Sequence, residues 1–426
     1  MASPIADKPW AKLVKFVQNE PRRIIHSFKV GLALVLVSIL HHFRPSFYGF
    51  GENIIWAVVT VVIVLELSVG ATLGKGLNRM LATGLAAALG FGTHRLASLC
   101  GKNGKDVLIS AFLFVIAVTV TYMRFSPRLK AKYDYGLLIF ILTFCLVTLS
   151  EFTDGELLRT AHERLLTIII GSLIAIAVCV CIYPIWIGED LHNQIAGNIV
   201  KVADFLEGFG DEYFKNSENT EVVVVAHDKP FLRSYKRVLS SKSAEETKAV
   251  LARWEPCHGR FRFRHPWKQY LKIGNLTRLC AYKIEALSVY LLNSDQTPYE
   301  LRSRVEDPCK NISLECGKAL KESSLIVKKM AKSSAPNLYV RHAKNAAESL
   351  KSVLRANPWE GADPMEMVPA ATVASLLIDI VICVENISEA VDELATLANF
   401  VPPRGIVQPI TSSDDDDSAH VITVNE

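Results

Sequence analysis

The stretch from Ile54 to Arg79 reads IIWAVVTVVIVLELSVGATLGKGLNR, and the fold prediction starts from it. It begins with an apolar run long enough for much of a membrane crossing. A single carboxylate, Glu66, follows that run, and the three glycines after it predict a turn. Lys75 and Arg79 then lead into the next apolar segment. This order predicts two membrane helices with a pair of cations at the turn between them, where an anion can meet them.

Six apolar segments of this kind lie in the first 187 residues. They are Phe28–Phe43, Ile54–Val69, Leu77–Leu99, Val107–Met123, Tyr135–Ser150 and Leu165–Ile187. Several approach the ~20 residues that a helix needs to cross about 30 Å of hydrocarbon. A soluble core could bury one or two such runs, whereas six joined by short loops are most simply placed in lipid. In the third segment, Gly84, Ala88 and Gly92 recur at intervals of four and predict a face on which another backbone packs closely.

The character of the chain changes after Gly188, where amphipathic helical periodicity replaces long apolar runs. The sequence therefore predicts an all-α membrane protein, with six transmembrane helices followed by a cytosolic helical bundle domain. The predicted domains are an N-terminal cytosolic or interfacial segment (1–26), a six-helix pore domain (27–187), a cytosolic α-helical domain (188–400) and a disordered C-terminal tail (401–426).

One apolar run in the second half, Val368–Val384, has the alternative reading of a seventh crossing. Asp379 lies inside it, and its apolar positions continue past Glu385 with a helical period, so a bundle helix or a dimer helix is favoured. In the first half, Lys and Arg are more numerous near the segment ends on one side. The positive-inside rule makes that side cytosolic and places both termini there.

Several classes of function are excluded by composition and motifs. The net charge of +4 is spread along the chain, so no nucleic-acid footprint forms. Cys257, His258 and His265 lack the spacing of a zinc site, and no nucleophile–base motif of a hydrolase stands out. The string GATLGK has one residue too few between its glycines for a phosphate-binding loop. The chain is therefore interpreted as a non-enzyme without a cofactor or metal.

Cations at the ends of apolar segments are the more informative pattern. They are Lys75, Arg79, Arg124, Lys132 and Arg164. A charge inside a bilayer is costly, so such residues snorkel, pair or line water, and rings of cations lower the barrier to anions in pores. For Arg164 the sequence leaves two interpretations open, a protein-lined cavity and a simple anchor. For Glu66 an ion pair with Lys75 or Arg79 is favoured over a proton relay.

A second informative stretch, from Trp254 to Trp267, alternates basic and aromatic residues as WEPCHGRFRFRHPW. Such a segment can bind lipid headgroups or a nucleic acid. Cation–π stacking inside a folded loop is an equally good interpretation. The sequence leaves these alternatives open.

Four stretches together resemble the aluminium-activated malate transporter family of plants. They are PRRIIHSFKVGLALVLVS from Pro21, WAVVTVVIVLELSVGATLGKGLNR from Trp56, YDYGLLIFILTF from Tyr133 and WEPCHGRFRFRHPWKQY from Trp254. The resemblance runs from about Pro21 to Phe400. It implies a homodimeric anion channel in the lipid bilayer that passes malate, chloride and nitrate down their gradients. A proton-coupled organic-acid carrier is the alternative, with Glu66 as the titrating group.

The resemblance also implies roles for particular residues. Lys75, Arg79, Arg124, Lys132 and Arg164 match basic residues of the family's conduction path. Trp254, Glu255 and Pro256 match a cytosolic element linked to activity, so they are expected to serve gating or structure. Members occupy either the plasma membrane or the vacuolar membrane, and the plasma membrane is favoured here.

Overall fold

The computed structural model describes residues 21–43, 50–99, 101–149, 154–215, 231–262, 264–292, 298–356, 358–361 and 363–402. Within these ranges it contains fifteen α-helices and no β-strand. Most of the predicted N-terminal segment and nearly all of the predicted tail lie outside the described residues. The all-helical class predicted from the sequence is confirmed.

Six helices make up the first half of the molecule. They are α1 (Pro21–Phe43), α2 (Phe50–Val64), α3 (Val69–Ser98), α4 (Gly101–Phe125), α5 (Pro127–Thr148) and α6 (Asp154–Cys181). Four of them, α1, α4, α5 and α6, are long and apolar enough to cross a membrane, and α2 is a shorter apolar helix. Helix α3 is longer still but carries too many glycine, polar and charged residues to meet the same criterion. Several apolar helices of this length are typical of a membrane protein.

The break in the opening stretch lies earlier than the sequence predicted. Helix α2 ends at Val64, the four residues 65–68 are non-helical, and α3 begins at Val69. Ser68 caps α3 by accepting a hydrogen bond from the Ala71 N–H at 3.3 Å. The prediction of a turn at the glycines was therefore wrong, because they lie inside the first two turns of α3.

These glycines serve close packing. A Cβ atom at Gly70 would lie 2.4 Å from the Leu251 carbonyl oxygen and 3.0 Å from the Glu255 side chain. At Gly74 it would lie 3.0 Å from the Trp254 ring. Such distances are shorter than van der Waals contact, so the segment that includes Trp254 reaches α3 only because side chains are absent there.

No other described element packs against the predicted small-residue face of α3. No atom of another described element lies within 4 Å of a Cβ built at Gly84 or Gly92, and Ala88 is exposed. The close approach occurs instead at Gly90, where a Cβ would lie 2.6 Å from Val147 on α5. The stripe of Gly84, Ala88 and Gly92 is thus a face of α3 that the described residues leave uncovered.

Packing in the first half centres on α3 and α6. Helix α3 packs against α5 and α6, α2 packs against α6, and α4 covers α5. A small apolar core joins α1, α2 and α6 and includes Ala33, Val61 and Ala175. Lys29 of α1 is fully buried beside this core and donates to the carbonyls of Cys179 at 3.3 Å and Tyr183 at 3.1 Å. A cation at the end of α6 offsets the negative end of the helix dipole, so this buried lysine fastens α1 to α6.

Nine helices form the described part of the second half. They are α7 (Ile187–Tyr213), α8 (Phe231–Ser234), α9 (Lys236–Leu239), α10 (Lys242–Ala252), α11 (Trp267–Leu292), α12 (Tyr299–Ser303), α13 (Glu306–Lys329), α14 (Ala335–Arg355) and α15 (Pro364–Leu397). One continuous hydrophobic core unites them. The second half is therefore a helical bundle in its own right.

The run Val368–Val384, for which the sequence also allowed a seventh membrane crossing, lies in α15. That helix is long and apolar enough to cross a membrane, but it packs against α11, α13 and α14. Leu377, Ile380 and Val384 are fully buried in the bundle core, and Asp379 pairs with Lys283 of α11 at 2.6 Å. These contacts place the run inside the bundle, as the sequence favoured.

The packing at Gly70 yields a testable prediction. Replacing Gly70 by Ala should lower stability by about 1–3 kcal/mol, because the new methyl group overlaps the Leu251 carbonyl. Gly84→Ala in the same helix is the matched control, since its methyl group meets no other element. Thermal unfolding of both variants in detergent measures the effect. Equal melting temperatures for the two variants would contradict this account of the contact between α3 and the segment that includes Leu251 and Trp254.

Candidate functional site

Two of the predicted cations, Arg79 and Arg164, line one small cavity between α2, α3, α5 and α6. The cavity is also lined by Trp56, Thr83, Ala87, Ile139, Leu142, Thr143, Leu146, Val147 and Ile168. Its walls are mostly apolar, and its free volume is about 30 Å³. This volume is on the scale of one or two water molecules.

Arg79 is the most enclosed cation of the cavity. Only 3% of the residue is exposed, and it donates a hydrogen bond to the Tyr135 hydroxyl at 3.0 Å. Its Nε has no hydrogen-bond partner among the described residues. A buried guanidinium with an unused N–H is costly unless another acceptor is supplied, so this atom is suited to an anion.

Arg164 comes from α6 and lies over the Trp56 ring, 5.0 Å from the ring centroid. This is cation–π geometry, and it holds the guanidinium in place through the ring face. The Nε of Arg164 likewise lacks a hydrogen-bond partner within the described part of the chain. Of the two interpretations left open by the sequence, the structure supports the cavity-lining one.

Thr83 is a polar group of the cavity that sequence reasoning missed. It lies one turn after Arg79 on α3, is 3% exposed, and its Oγ1 has no described partner. Other helical threonines here, such as Thr60 and Thr93, donate to the carbonyl four residues earlier. No sequence signal separates Thr83 from them. Three polar groups with unmet hydrogen-bonding capacity therefore line one apolar cavity, which is the arrangement expected of an anion site.

Lys75 lies one turn before Arg79 but does not line the cavity. It forms an ion pair with Glu66 from the non-helical segment, and both side chains are partly exposed. Its Nζ is 5.8 Å from the centroid of the Tyr135 ring, whose hydroxyl accepts from Arg79. The ion pair favoured by the sequence for Glu66 is therefore present, with Lys75 as the partner.

Arg124 and Lys132 are also outside the cavity lining. Arg124 donates to the Asp134 carboxylate at 2.8 Å, which compensates its charge. Lys132 lies over two aromatic rings, 4.8 Å from Tyr133 and 5.6 Å from Trp254. Of the five predicted cations, the structure thus joins Arg79 and Arg164 in one cavity and places Lys75, Arg124 and Lys132 elsewhere.

The residues Trp254, Glu255 and Pro256 lie where the bundle meets α3. Trp254 packs on Gly74 of α3, as described above. The Glu255 carboxylate accepts hydrogen bonds from the backbone N–H groups of Ile187 at 2.6 Å and Gly188 at 3.0 Å. These are the first two residues of α7, so Glu255 satisfies orphan donors at a helix N-terminus. The Pro256 carbonyl contacts the His258 ring nitrogen at 2.9 Å and shapes the loop that follows.

Glu255 is a buried carboxyl with an unusual environment. Its residue is 7% exposed, and burial raises the pKa of Glu255 to about 7, although hydrogen bonds from the backbones of Ile187, Gly188 and Gly70 act in the opposite direction. His258 lies 3.9 Å away and stacks on Trp186 with ring centroids 3.8 Å apart. A carboxyl with such a pKa changes its charge near neutral pH.

Two further histidines lie in the bundle against Tyr270 of α11. His192 and His265 contact the same Tyr270 hydroxyl at 3.0 Å and 3.2 Å. Burial lowers the pKa of each histidine to about 4, so both rings are neutral at pH 7. They act as packed polar groups at that pH and carry no charge.

The fold is all-helical with several apolar helices of membrane-spanning length, as expected of a membrane protein, and two arginines line one cavity among them. A family model described as aluminium activated malate transporter matches residues 14–359. The chain belongs to that family.

Relatives in two plants agree with this assignment. Aluminum-activated malate transporter 2 of Arabidopsis thaliana is 45% identical over 417 residues, which span 96% of this chain and 83% of the relative. Aluminum-activated malate transporter 1 of the same plant is also 45% identical and covers 96% and 86%. Aluminum-activated malate transporter 1 of Triticum aestivum is 41% identical over 410 residues, with coverage of 93% and 87%. These relatives are named as malate transporters and not as enzymes.

The raised pKa of Glu255 predicts a pH dependence of stability. A carboxyl whose pKa is raised on folding contributes stability that is present below its unfolded pKa and is lost as the pH rises through its folded pKa. We therefore expect the melting temperature of the wild type, relative to Glu255→Gln, to fall between pH 4.5 and about pH 7. Both proteins retain His192 and His265, so the contributions of those rings cancel.

Thermal unfolding in detergent at several pH values across that window measures the difference. A difference that stays constant from pH 4.5 to pH 8 would show that Glu255 does not titrate there.

Proposed function

We propose that this chain is a passive anion channel that conducts malate and inorganic anions, chloride and nitrate among them. The observation that carries the proposal is the cavity lined by Arg79, Thr83 and Arg164, each with a buried polar atom that has no partner among the described residues. An anion entering this cavity exchanges part of its hydration for two guanidinium groups and a hydroxyl. The surrounding apolar wall strengthens those interactions by excluding water.

The proposed topology has six membrane helices, α1 to α6, with the bundle and both termini in the cytosol. It is supported by the apolar length of α1, α4, α5 and α6 and by the Lys and Arg bias of the loops on one side. Pore and cytosolic domains then correspond to residues 27–187 and 188–400, flanked by the terminal segments 1–26 and 401–426. The plasma membrane is the favoured location.

Conduction of malate requires the cavity to widen, because its free volume of about 30 Å³ is smaller than a dicarboxylate. The Arg164 side chain on Trp56 is the element placed to move, since no hydrogen bond from its guanidinium to another described residue would have to break. On this topology the Glu66–Lys75 pair, Arg124 and Lys132 lie at the cytosolic approach. There Lys132, which lies over aromatic rings, attracts anions, whereas Glu66 and Asp134 neutralise Lys75 and Arg124; binding is left to the two arginines.

A homodimer is the proposed assembly. The uncovered face of Gly84, Ala88 and Gly92 on α3 has the small residues that let two membrane helices approach closely. That face lies on the same helix as Arg79 and Thr83. Pairing of two copies there would bring two cavities near one axis.

The channel proposal predicts the effect of mutations in the cavity. Arg164→Ala should reduce malate current about tenfold, because an anion loses one charge-assisted contact. Thr83→Val keeps the shape and removes only the hydroxyl, so a few-fold loss is expected. Arg95→Ala is the matched control, because Arg95 is an exposed cation of the same helix outside the cavity lining.

Whole-cell recording with malate, chloride and nitrate, normalised to surface abundance, measures these currents. Unchanged current and unchanged selectivity in both Arg164→Ala and Thr83→Val would overturn the site assignment.

A proton-coupled organic-acid carrier is the second candidate, and one observation favours it. Glu66 lies in the non-helical segment between α2 and α3, and interrupted helices bearing a titratable group are typical of coupled carriers. The two mechanisms differ in reversal potential. For a channel, the potential follows the anion gradient and is the same in the wild type and Glu66→Gln.

The test is to change the proton gradient at a fixed malate gradient. A reversal potential that shifts in the wild type, and not in Glu66→Gln, would establish the carrier and reject the channel.

A further inference from the structure

A second cavity, separate from the one that Arg79 and Arg164 line, lies in the bundle beside Glu255 and Pro256. Its volume is about 560 Å³, which is in the range of small-molecule sites. It is formed by the end of α10, the loop from Arg253 to Pro266, the first turn of α11 and Leu397 at the end of α15. We call it the loop pocket.

The charge of the loop pocket is strongly positive. Arg253, Arg262, Arg264 and Lys268 line it, and all four are exposed. Glu255 is the one acidic residue among its lining, and both of its carboxylate oxygens already accept backbone N–H groups of α7. The pocket lining therefore carries four exposed cations and one acidic side chain.

The pocket floor is apolar and rigid. Phe261 and Trp267 are 8% and 5% exposed, and their stacked rings have centroids 5.5 Å apart. The 26-residue helix α11 begins at Trp267, so the positive end of its dipole lies at the same place. An apolar floor, a cationic rim and a helix N-terminus together suit an organic anion that carries phosphate groups.

We propose that the loop pocket binds a multivalent phosphorylated anion from the cytosolic side. Three of its four cations are arginines, whose planar guanidinium groups match phosphate oxygens in pairs. Malate carries too little charge and too little apolar surface to use four cations and an aromatic floor. A phosphate-bearing headgroup of a lipid and a soluble phosphorylated metabolite share the required chemistry.

The position of the pocket gives binding a route to the membrane half. Arg253 and Glu255 flank Trp254, which packs on Gly74 and lies 5.6 Å from the Lys132 ammonium group. An anion that draws Arg253 toward the pocket pulls directly on this contact. Binding is thus expected to change how Trp254 packs on Gly74 of α3. The site itself can be tested by a binding measurement, without a transport assay.

The experiment uses the full chain in nanodiscs and two probes. The soluble probe is adenosine triphosphate, measured by isothermal titration with nanodiscs of phosphatidylcholine. The lipid probe is phosphatidylinositol 4,5-bisphosphate, measured by comparing co-sedimentation with vesicles that contain or lack it. The test variant is Arg262→Ala with Lys268→Ala, and the charge-retaining variant is Arg262→Lys with Lys268→Arg.

Arg341→Ala is the matched control, because Arg341 is an exposed arginine of α14 outside the pocket lining. We expect the double alanine variant to lose at least about tenfold in affinity, since each lost contact is charge-assisted. The charge-retaining variant should keep most of the affinity, and Arg341→Ala all of it. Arg164→Ala should bind as the wild type does, which separates this site from the anion cavity.

The two probes distinguish the source of the ligand. Pocket-dependent binding of adenosine triphosphate identifies a soluble metabolite, and pocket-dependent binding of the lipid alone identifies a headgroup. Binding of neither probe, or an equal loss in Arg341→Ala, would overturn the proposal.

Discussion

The structure depends on one buried carboxylate. Glu255 reaches from the loop after α10 to the first two N–H groups of α7, where the chain passes from the membrane half to the bundle. Orphan N–H groups at a buried helix start need an acceptor, and few side chains can accept two at once. Gly70 and Gly188 leave the space that this carboxylate and the Trp267 ring occupy. Glu255 therefore fixes the start of α7 beside Gly70 of α3, with glycines placed around it. An ion pair between Arg22 of α1 and Asp190 of α7 adds a second contact between the two halves.

The same constraint explains the run of glycines in α3. Gly70 and Gly74 must admit the Leu251 carbonyl and Trp254, so these two positions lack side chains. Residues from Arg79 onward face α5 and α6, where the helix instead presents Arg79 and Thr83 to a small cavity. The first turns of α3 therefore contact the bundle, and the turns that follow line the candidate anion site.

A chain of direct contacts links these two regions. Arg79 donates to the Tyr135 hydroxyl, the Tyr135 ring lies near Lys75, and Lys75 pairs with Glu66. On the same side of α3, the Lys132 carbonyl accepts from Asn78 while its ammonium group lies over Trp254. Each contact is polar or cation–π, so a displacement of Trp254 changes the electrostatic environment of the cavity mouth. On the proposed function, these contacts are the route by which the bundle would influence an anion in the membrane half.

The sequence by itself determined the helical class, the six apolar segments, the change of character near Gly188 and the family, because these follow from local periodicity, composition and matching motifs. It also indicated the Glu66 ion pair, since oppositely charged groups in one short apolar stretch have few other partners. It did not determine where α3 begins, because glycine is equally a turn residue and a site of close packing, and only a neighbouring backbone decides between them. Nor did it determine which cations share a cavity. That depends on how helices distant in the chain pack together. Packing alone brought Arg164 of α6 to the cavity that Arg79 lines, and it left Thr83, unremarkable in the sequence, without a partner among the described residues.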